Sequence, residues 1–147
     1  RKGFIMKLFT RDFGEVEVAD ADVITFVQPI FGFEKLSIFV ILYDRSNSHF
    51  VWLQSVQERD ICFILTDPAV VDASYKPALP SAAKKQLGKG EYMLWLVTVI
   101  AGKFEKSTVN LKGPIAINPA TKRAMQVILE DDLPIRCPLV KNKGGDK

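Results

Sequence analysis

Histidine and cysteine are scarce in this sequence of 147 residues. The single histidine, His49, stands in a polar stretch, and neither Cys62 nor Cys137 has a histidine near it along the chain. Zinc sites need several such ligands at short spacings, and a nucleophilic cysteine needs a basic partner. We therefore expect no metal site, no cofactor and no catalytic residues. The protein is not expected to be an enzyme.

Long apolar runs are also missing. No stretch reaches the roughly 18 apolar residues that a transmembrane helix needs, and the first residues do not follow the order of a secretory signal. We therefore expect a cytoplasmic protein with no membrane partner, whose two cysteines are reduced thiols. Cys62 lies between Ile61 and Phe63, where a cysteine behaves as a small hydrophobe.

Concentrated positive charge is absent from the middle of the chain. The formal net charge is +3, but residues 1–5 and residues 141–147 contribute +2 each, so the part between them has a net charge of −1. Nucleic-acid binding needs lysine and arginine together on one folded face. Direct contact with nucleic acid is therefore not expected, and a small nucleic-acid-binding β-barrel stays the alternative function.

The sequence does contain many short apolar runs. They are rich in β-branched and aromatic residues and are bounded by turn residues, which is the signature of strands. The runs are residues 6–10, 14–19, 37–43, 50–56, 61–66, 91–100, 107–112, 114–118 and 124–130. Their spacing predicts a mostly β fold, a small antiparallel β-barrel or barrel-like sandwich.

One short helix is predicted at residues 80–88, where good helix formers precede Gly88, a suitable C-terminal cap. Residues 1–140 are expected to form a single β-barrel domain, with residues 141–147 as a flexible basic tail. The stretch "IFVILY", residues 38–43, is apolar throughout, so both of its faces should be covered.

The segment "STVNLKGPIAIN", residues 107–118, places a polar amide and a Gly-Pro pair between apolar residues. Gly113-Pro114 predicts a bulge or sharp bend. Asn110 beside it could bond the backbone groups that the break leaves without partners. A direct contact with a binding partner is the alternative role of Asn110.

The most acidic stretch of the chain is Glu130-Asp131-Asp132, followed by Pro134. Carboxylates in such a run can bind a cation or act as acid and base. A solvated turn at a strand end is favoured, because like charges in a row remain in water. An enzyme with a spatially assembled site stays open, and it would need a deep pocket with a perturbed titratable group.

Three blocks of the sequence resemble, in order and content, the FliW family of flagellar assembly factors. They are "FGFEKLSIFVIL" (31–42), "FVWLQSVQERDICFILTDPAVVDASYKPAL" (50–79) and "TVNLKGPIAINPATKRAMQVILEDDLPIRCPL" (108–139). The likeness covers most of residues 6–140. Matched to the family pattern, the signature residues are Gly32, Phe33, Glu34, Leu53, Gln54, Ser55, Asp67, Pro68, Tyr75, Asn110, Leu111, Pro114, Ile115, Asn118, Gln126 and Arg136.

Two positions depart from that family pattern. Cys137 stands where the family often has histidine, and Leu133 stands where an aromatic residue is common. Any role of an imidazole at position 137 is therefore in doubt for this chain.

The resemblance implies a small antiparallel β-barrel that works by binding proteins and is a monomer when free. FliW-like proteins bind flagellin in the cytoplasm. They also bind the RNA-binding regulator CsrA and relieve its repression of flagellin synthesis. The implied function is thus a non-catalytic partner switch, in which the antagonist must bind RNA-free CsrA better than RNA-bound CsrA.

Polar residues within the matched blocks are the candidates for partner contact. Each also has a structural interpretation: Asp67-Pro68 can start a turn, Gln54 can satisfy a neighbouring strand, and Arg136 can pair with an acidic neighbour. The predicted partner-binding set is Glu34, Gln54, Asp67, Tyr75, Asn110 and Arg136. An edge strand that pairs with an extended partner segment is an alternative mode of binding.

Overall fold

Backbone hydrogen bonds between strands organise the chain, as seen in a computed structural model that describes residues 5–44 and 46–140. The strands are β1 (Ile5–Phe9), β2 (Glu15–Ala19), β3 (Val23–Gln28), β4 (Ile38–Asp44), β5 (Asn47–Ser55), β6 (Cys62–Thr66), β7 (Met93–Val99), β8 (Thr108–Val109), β9 (Ile115–Asn118), β10 (Arg123–Gln126) and β11 (Cys137–Pro138). The α-helix α1 covers Ser81–Leu87, and short 3-10 turns cover Asp20–Asp22, Pro68–Val70 and Phe104–Lys106.

Seven of these strands close into a barrel. The order is β7-β6-β5-β4-β3-β10-β9, and β9 returns to β7 through the pair Trp95 and Ile115. Within this ring β3 and β10 run parallel, and the other neighbours are antiparallel. The predicted mostly β barrel with one short helix is confirmed, with a parallel pair that the antiparallel prediction did not include. Closure removes the free edges that an open sheet would expose.

Apolar side chains fill the barrel interior. Phe39, Leu53, Leu65 and Ile115 are fully buried there. Phe39 packs edge-to-face against Phe26, with ring centroids 5.0 Å apart. Burial of such side chains stabilises the fold by about 1.5–3 kcal/mol each, so the interior is the main hydrophobic core.

The hairpin of β1 and β2 covers the outside of β4. Leu8 and Val18 pack against Val40 on the outer face of β4. Phe39, the preceding residue in the chain, faces the barrel interior. This confirms that both faces of β4 are covered, and it explains why that strand is apolar throughout. In β2, Val16 and Val18 face the barrel and the two glutamates face solvent, as a half-buried strand requires.

Helix α1 packs across the outside of β9 and β10. Its buried residues, Ala83 and Leu87, contact Ala116, Met125 and the residues that follow β10. The helix ends at Gly88, which has a φ of 90° that favours glycine. The predicted helix is confirmed, one residue shorter at each end.

Some elements differ from the sequence prediction. The prediction omitted β3, although Ile24 and Phe26 alternate with exposed Thr25 as a strand requires. The run 107–112 forms a strand only at Thr108–Val109, and the run 124–130 only at Arg123–Gln126. The tail at 141–147 lies outside the described residues. Among the residues that are described, no helix is long and apolar enough to cross a bilayer.

Candidate functional site

An apolar groove lies on the barrel surface beside the bend at Gly113-Pro114. Three large side chains around it are exposed: Phe31 by 82%, Ile128 by 57% and Ile135 by 61%. The groove has a volume of about 360 Å³ and is lined by Phe31, Asn110, Lys112, Gly113, Gln126, Ile128 and Ile135. We call this set the apolar groove.

Asn110 builds the bend at one end of the groove. Its Oδ1 accepts hydrogen bonds from the backbone N–H groups of Lys112, at 3.0 Å, and Gly113, at 2.9 Å. These bonds replace the strand ladder and end β8 at Val109. The structural interpretation of Asn110 is thus confirmed, and the residue also faces the groove.

Gln126 joins the bend to the loop that carries Phe31. Its Oε1 accepts from the Phe31 N–H at 2.8 Å, and its Nε2 donates to the Gly113 carbonyl at 3.0 Å. A Cβ on Gly113 would lie 3.0 Å from that same Nε2 and 3.2 Å from Ile128 Cδ1. Glycine at this position therefore lets the groove walls approach each other.

A second cavity of about 360 Å³ continues from the groove and shares Phe31, Gln126 and Ile128 with it. Glu34 lines this continuation. The Glu34 carboxylate accepts from the Gly32 N–H at 2.9 Å and so holds the loop under Phe31. Gly32 has a φ of 91°, a conformation that side-chain-bearing residues rarely adopt.

The predicted contact residues do not form one cluster. Asn110 and Glu34 line the joined cavities, and exposed Arg136 follows Ile135 in the chain. Within the described part of the chain, no ion pair joins Arg136 to an acidic neighbour. Tyr75 lies behind the bend, where its hydroxyl donates to the Leu111 carbonyl at 2.6 Å.

Gln54 has a structural role, and partner contact by this residue stays a prediction. Its side chain is fully buried. Its Nε2 donates to the carbonyls of Ser55 and Arg59, and its Oε1 accepts from the Arg11 N–H. Gln54 therefore ties the turn after β1 to the turn after β5.

Asp67 also has a local structural role. Its Oδ1 accepts from the Ala69 N–H at 3.0 Å and caps the turn Pro68–Val70. The capping bond agrees with the interpretation of Asp67-Pro68 as a turn initiator. It leaves partner contact by Asp67 as a prediction.

The apolar residues of the groove were missed by the sequence prediction. Polar residues stand out in apolar runs of a sequence, whereas an isoleucine that will be exposed has the same pattern as a core residue. The sequence offered one signal, because side chains alternate between the two faces of a strand. Ile128 stands between Val127 and Leu129, which are both buried, and it therefore faces outward. Nothing in the sequence comparably marked Phe31 or Ile135.

The acidic run lies at the surface as a turn. Glu130, Asp131 and Asp132 are all exposed. The Asp131 carbonyl accepts from the Leu133 N–H and from Lys112 Nζ. In the ranges that the structure covers, no three His, Cys, Asp or Glu side chains are grouped to hold a metal ion.

The pKa values of two side chains, buried Cys62 and half-buried Tyr75, are raised. Burial raises the pKa of the Cys62 thiol to about 11, an effect that Arg11 partly opposes. Burial, with a smaller contribution from Asp131, raises the pKa of Tyr75 to about 12. Both groups are therefore protonated at neutral pH, and a protonated thiol is a poor nucleophile.

Comparison with known proteins gives a consistent result over nearly the whole chain. The family described as "FliW protein" matches residues 7–139. The flagellar assembly factor FliW of Syntrophotalea carbinolica is 39% identical over 122 residues, which cover 80% of this chain and 86% of that protein. The flagellar assembly factor FliW of an Exiguobacterium species is 37% identical and covers 97% of both chains.

A solved structure agrees with these relatives. The crystal structure of the flagellar assembly factor FliW superposes with a TM-score of 0.87 at 30% identity, covering 94% of this chain and 99% of that one. The chain belongs to the FliW family of flagellar assembly factors.

Proposed function

We propose that this chain is a cytoplasmic partner switch, which binds flagellin and a CsrA-type RNA-binding regulator and so relieves repression of flagellin synthesis. Membership of a family of flagellar assembly factors supports a role through protein partners. In this proposal free flagellin competes for the chain, and removal of flagellin releases it to bind the regulator. The chain is a monomer when free and needs no cofactor.

The observation that carries this proposal is the apolar groove. Exposed apolar groups that converge on one concave surface mark sites of protein contact, because a monomer gains nothing by leaving them in water. Phe31, Ile128 and Ile135 are more than half exposed. The residues that hold their segments together, Asn110 and Gln126, belong to the blocks that resemble the family.

Antagonism of the regulator requires a difference in affinity. A protein that bound RNA-free and RNA-bound regulator equally would not change RNA binding at all. By linkage, RNA must weaken the binding of this chain to the regulator by the same factor that the chain weakens RNA binding. This reciprocity can be measured without assuming where the two proteins touch.

The test is size-exclusion chromatography with light scattering. The chain is mixed with flagellin, with the CsrA-type regulator from the same organism, and with both together. We expect co-elution with each partner separately, and displacement of the regulator when flagellin is added. Co-elution with neither partner from well-folded samples would contradict the proposal.

The same chromatography, with RNA in place of the protein partners, distinguishes the proposed function from the alternative of a nucleic-acid-binding barrel. Direct RNA binding would fall steeply as salt rises, since phosphate contacts release counterions. We expect no RNA complex of the isolated chain even at low salt. A salt-dependent complex would favour the alternative function.

A further inference from the structure

We propose that the apolar groove receives an extended segment of flagellin, which adds as a strand beside residues 127–129. This inference rests on the proposed function, because it assigns one of the two proposed partners to a site. It goes further by naming the mode of binding, which is pairing through backbone groups as well as contact of side chains.

The segment 127–129 continues β10 and is paired on one side. The N–H of Val127 donates to the Pro114 carbonyl at 2.9 Å, and the N–H of Leu129 donates to the Lys112 carbonyl at 2.8 Å. In an extended chain, successive residues direct their N–H and C=O groups to opposite edges. The backbone groups of Ile128 therefore point away from residues 112–114.

Ile128 has no backbone partner on that other side. None of the hydrogen bonds among the described residues uses its N–H or its carbonyl. The residue is 57% exposed, so solvent and a partner can approach it. An extended peptide could take both bonds, as in strand addition to an exposed sheet edge.

The edge of the sheet beside Ile128 has no neighbouring strand, because β3 ends before it reaches that residue. Strand β3 pairs with β10 as far as Gln28 opposite Met125, and Pro29 follows. Proline has no N–H to continue the ladder, and the N–H of Phe31 in the loop that follows is bonded to the Gln126 side chain. The cavity lined by Gln28, Pro29, Phe31, Glu34, Gln86, Met125, Gln126 and Ile128 occupies the space where β3 would have continued.

Side chains of an added strand would meet apolar walls. Phe31 and Ile128 border both cavities, and Ile135 borders the one beside the bend. Because side chains of a strand alternate between its faces, a guest segment would place alternate apolar residues on these walls. The two cavities should therefore select an extended segment whose apolar residues stand two positions apart.

Charge favours flagellin over the regulator as the occupant. The charged residues that line the two cavities are Glu34 and Lys112, which balance each other. An RNA-binding protein presents a basic face, for which the exposed run Glu130-Asp131-Asp132 offers better complementarity than a neutral groove. An uncharged extended segment suits the groove itself.

The first experiment measures the affinity of the full chain for flagellin and for the regulator by calorimetry. Phe31→Ser should weaken flagellin binding by about tenfold or more, as expected for an aromatic anchor. Its binding to the regulator should stay within about threefold, since Phe31 is not part of the acidic run that is assigned to the regulator. Phe9→Ser, at an aromatic residue of β1 that is 58% exposed, is the matched control and should change neither affinity.

The second experiment measures backbone hydrogen bonding at Ile128 directly. Hydrogen exchange of the Ile128 amide is followed by NMR in the wild-type chain, free and saturated with flagellin. A new backbone hydrogen bond should slow that exchange by about tenfold or more. This measurement needs no substitution in the groove, so it does not depend on how well a variant folds.

The outcomes separate the inference from the function on which it rests. Flagellin that binds while the Ile128 amide exchanges at its free rate would overturn strand addition but keep the partner switch. Loss of regulator binding instead of flagellin binding in Phe31→Ser would overturn the choice of occupant. Wild-type chain that binds neither partner would overturn both proposals.

Discussion

Replacement of Gln54 by alanine tests whether this family-motif residue is structural. Three hydrogen bonds of its side chain are 3.0 Å or shorter, to the Arg11 N–H and to the carbonyls of Ser55 and Arg59. At about 1 kcal/mol for each bond, Gln54→Ala should lower the free energy of unfolding by about 3 kcal/mol. Arg11 and Arg59 are exposed, so water can reach their freed groups. Ser55 is fully buried, so loss of the bond to its carbonyl sets this figure as a lower bound.

Urea unfolding followed by tryptophan fluorescence is the assay for this prediction. Trp52 is a suitable probe, because it packs edge-to-face on Phe13 in the turn that Gln54 anchors, with centroids 5.2 Å apart. The control is Gln28→Ala, which removes a single exposed bond to Gln86 and should cost less than about 1 kcal/mol.

A clear result would refute the reasoning about Gln54. If Gln54→Ala unfolds at the same urea concentration as the wild-type chain, the buried bonds contribute nothing. If the variant is equally stable but loses affinity for flagellin or the regulator, the original interpretation of Gln54 as a contact residue is restored. We expect the folded variant to bind both partners with unchanged affinity.

Two further predictions concern the groups with raised pKa. Because Tyr75 has a pKa of about 12 when folded against an ordinary value of 10.0, its contribution to stability is complete below pH 10 and is lost as the pH rises towards 12. Equilibrium unfolding across this range should show the alkaline loss in wild type and a smaller loss in Tyr75→Phe; identical pH profiles would contradict it. Because burial raises the pKa of Cys62 to about 11, a thiol reagent at pH 8 should label Cys137 in the folded chain and Cys62 only after unfolding. Equal labelling rates of the two thiols by mass spectrometry would contradict this prediction.

Local sequence patterns are sufficient to predict much of the fold. Alternation in β2, the apolar run of β4 and the helix that ends at Gly88 each depend on residues close together in the chain. The role of Asn110 was predictable for the same reason, since the N–H groups that donate to its side chain lie two and three residues away. Such interactions are formed wherever the segment is placed, so the sequence is sufficient to indicate them.

The candidate site was less accessible from sequence. Asn110 and Glu34 were chosen for their polarity, and they do line the cavities. Gln54 was chosen for the same reason and is fully buried. Polarity alone does not distinguish a buried side chain with four hydrogen-bond partners from one that faces solvent, because both are compatible with a polar residue in an apolar strand.

By itself the sequence determined most of the strands, the single helix, the bend at Gly113-Pro114 and the shortage of groups for metal binding or catalysis. Only the tertiary structure decided that β9 returns to β7, that β3 and β10 run parallel, and that Ile128 is left exposed beside an open edge. The physical reason is the range of the interactions. Caps, turns and alternation act over a few residues, whereas closure, strand direction and exposure depend on pairings between segments that are distant along the chain.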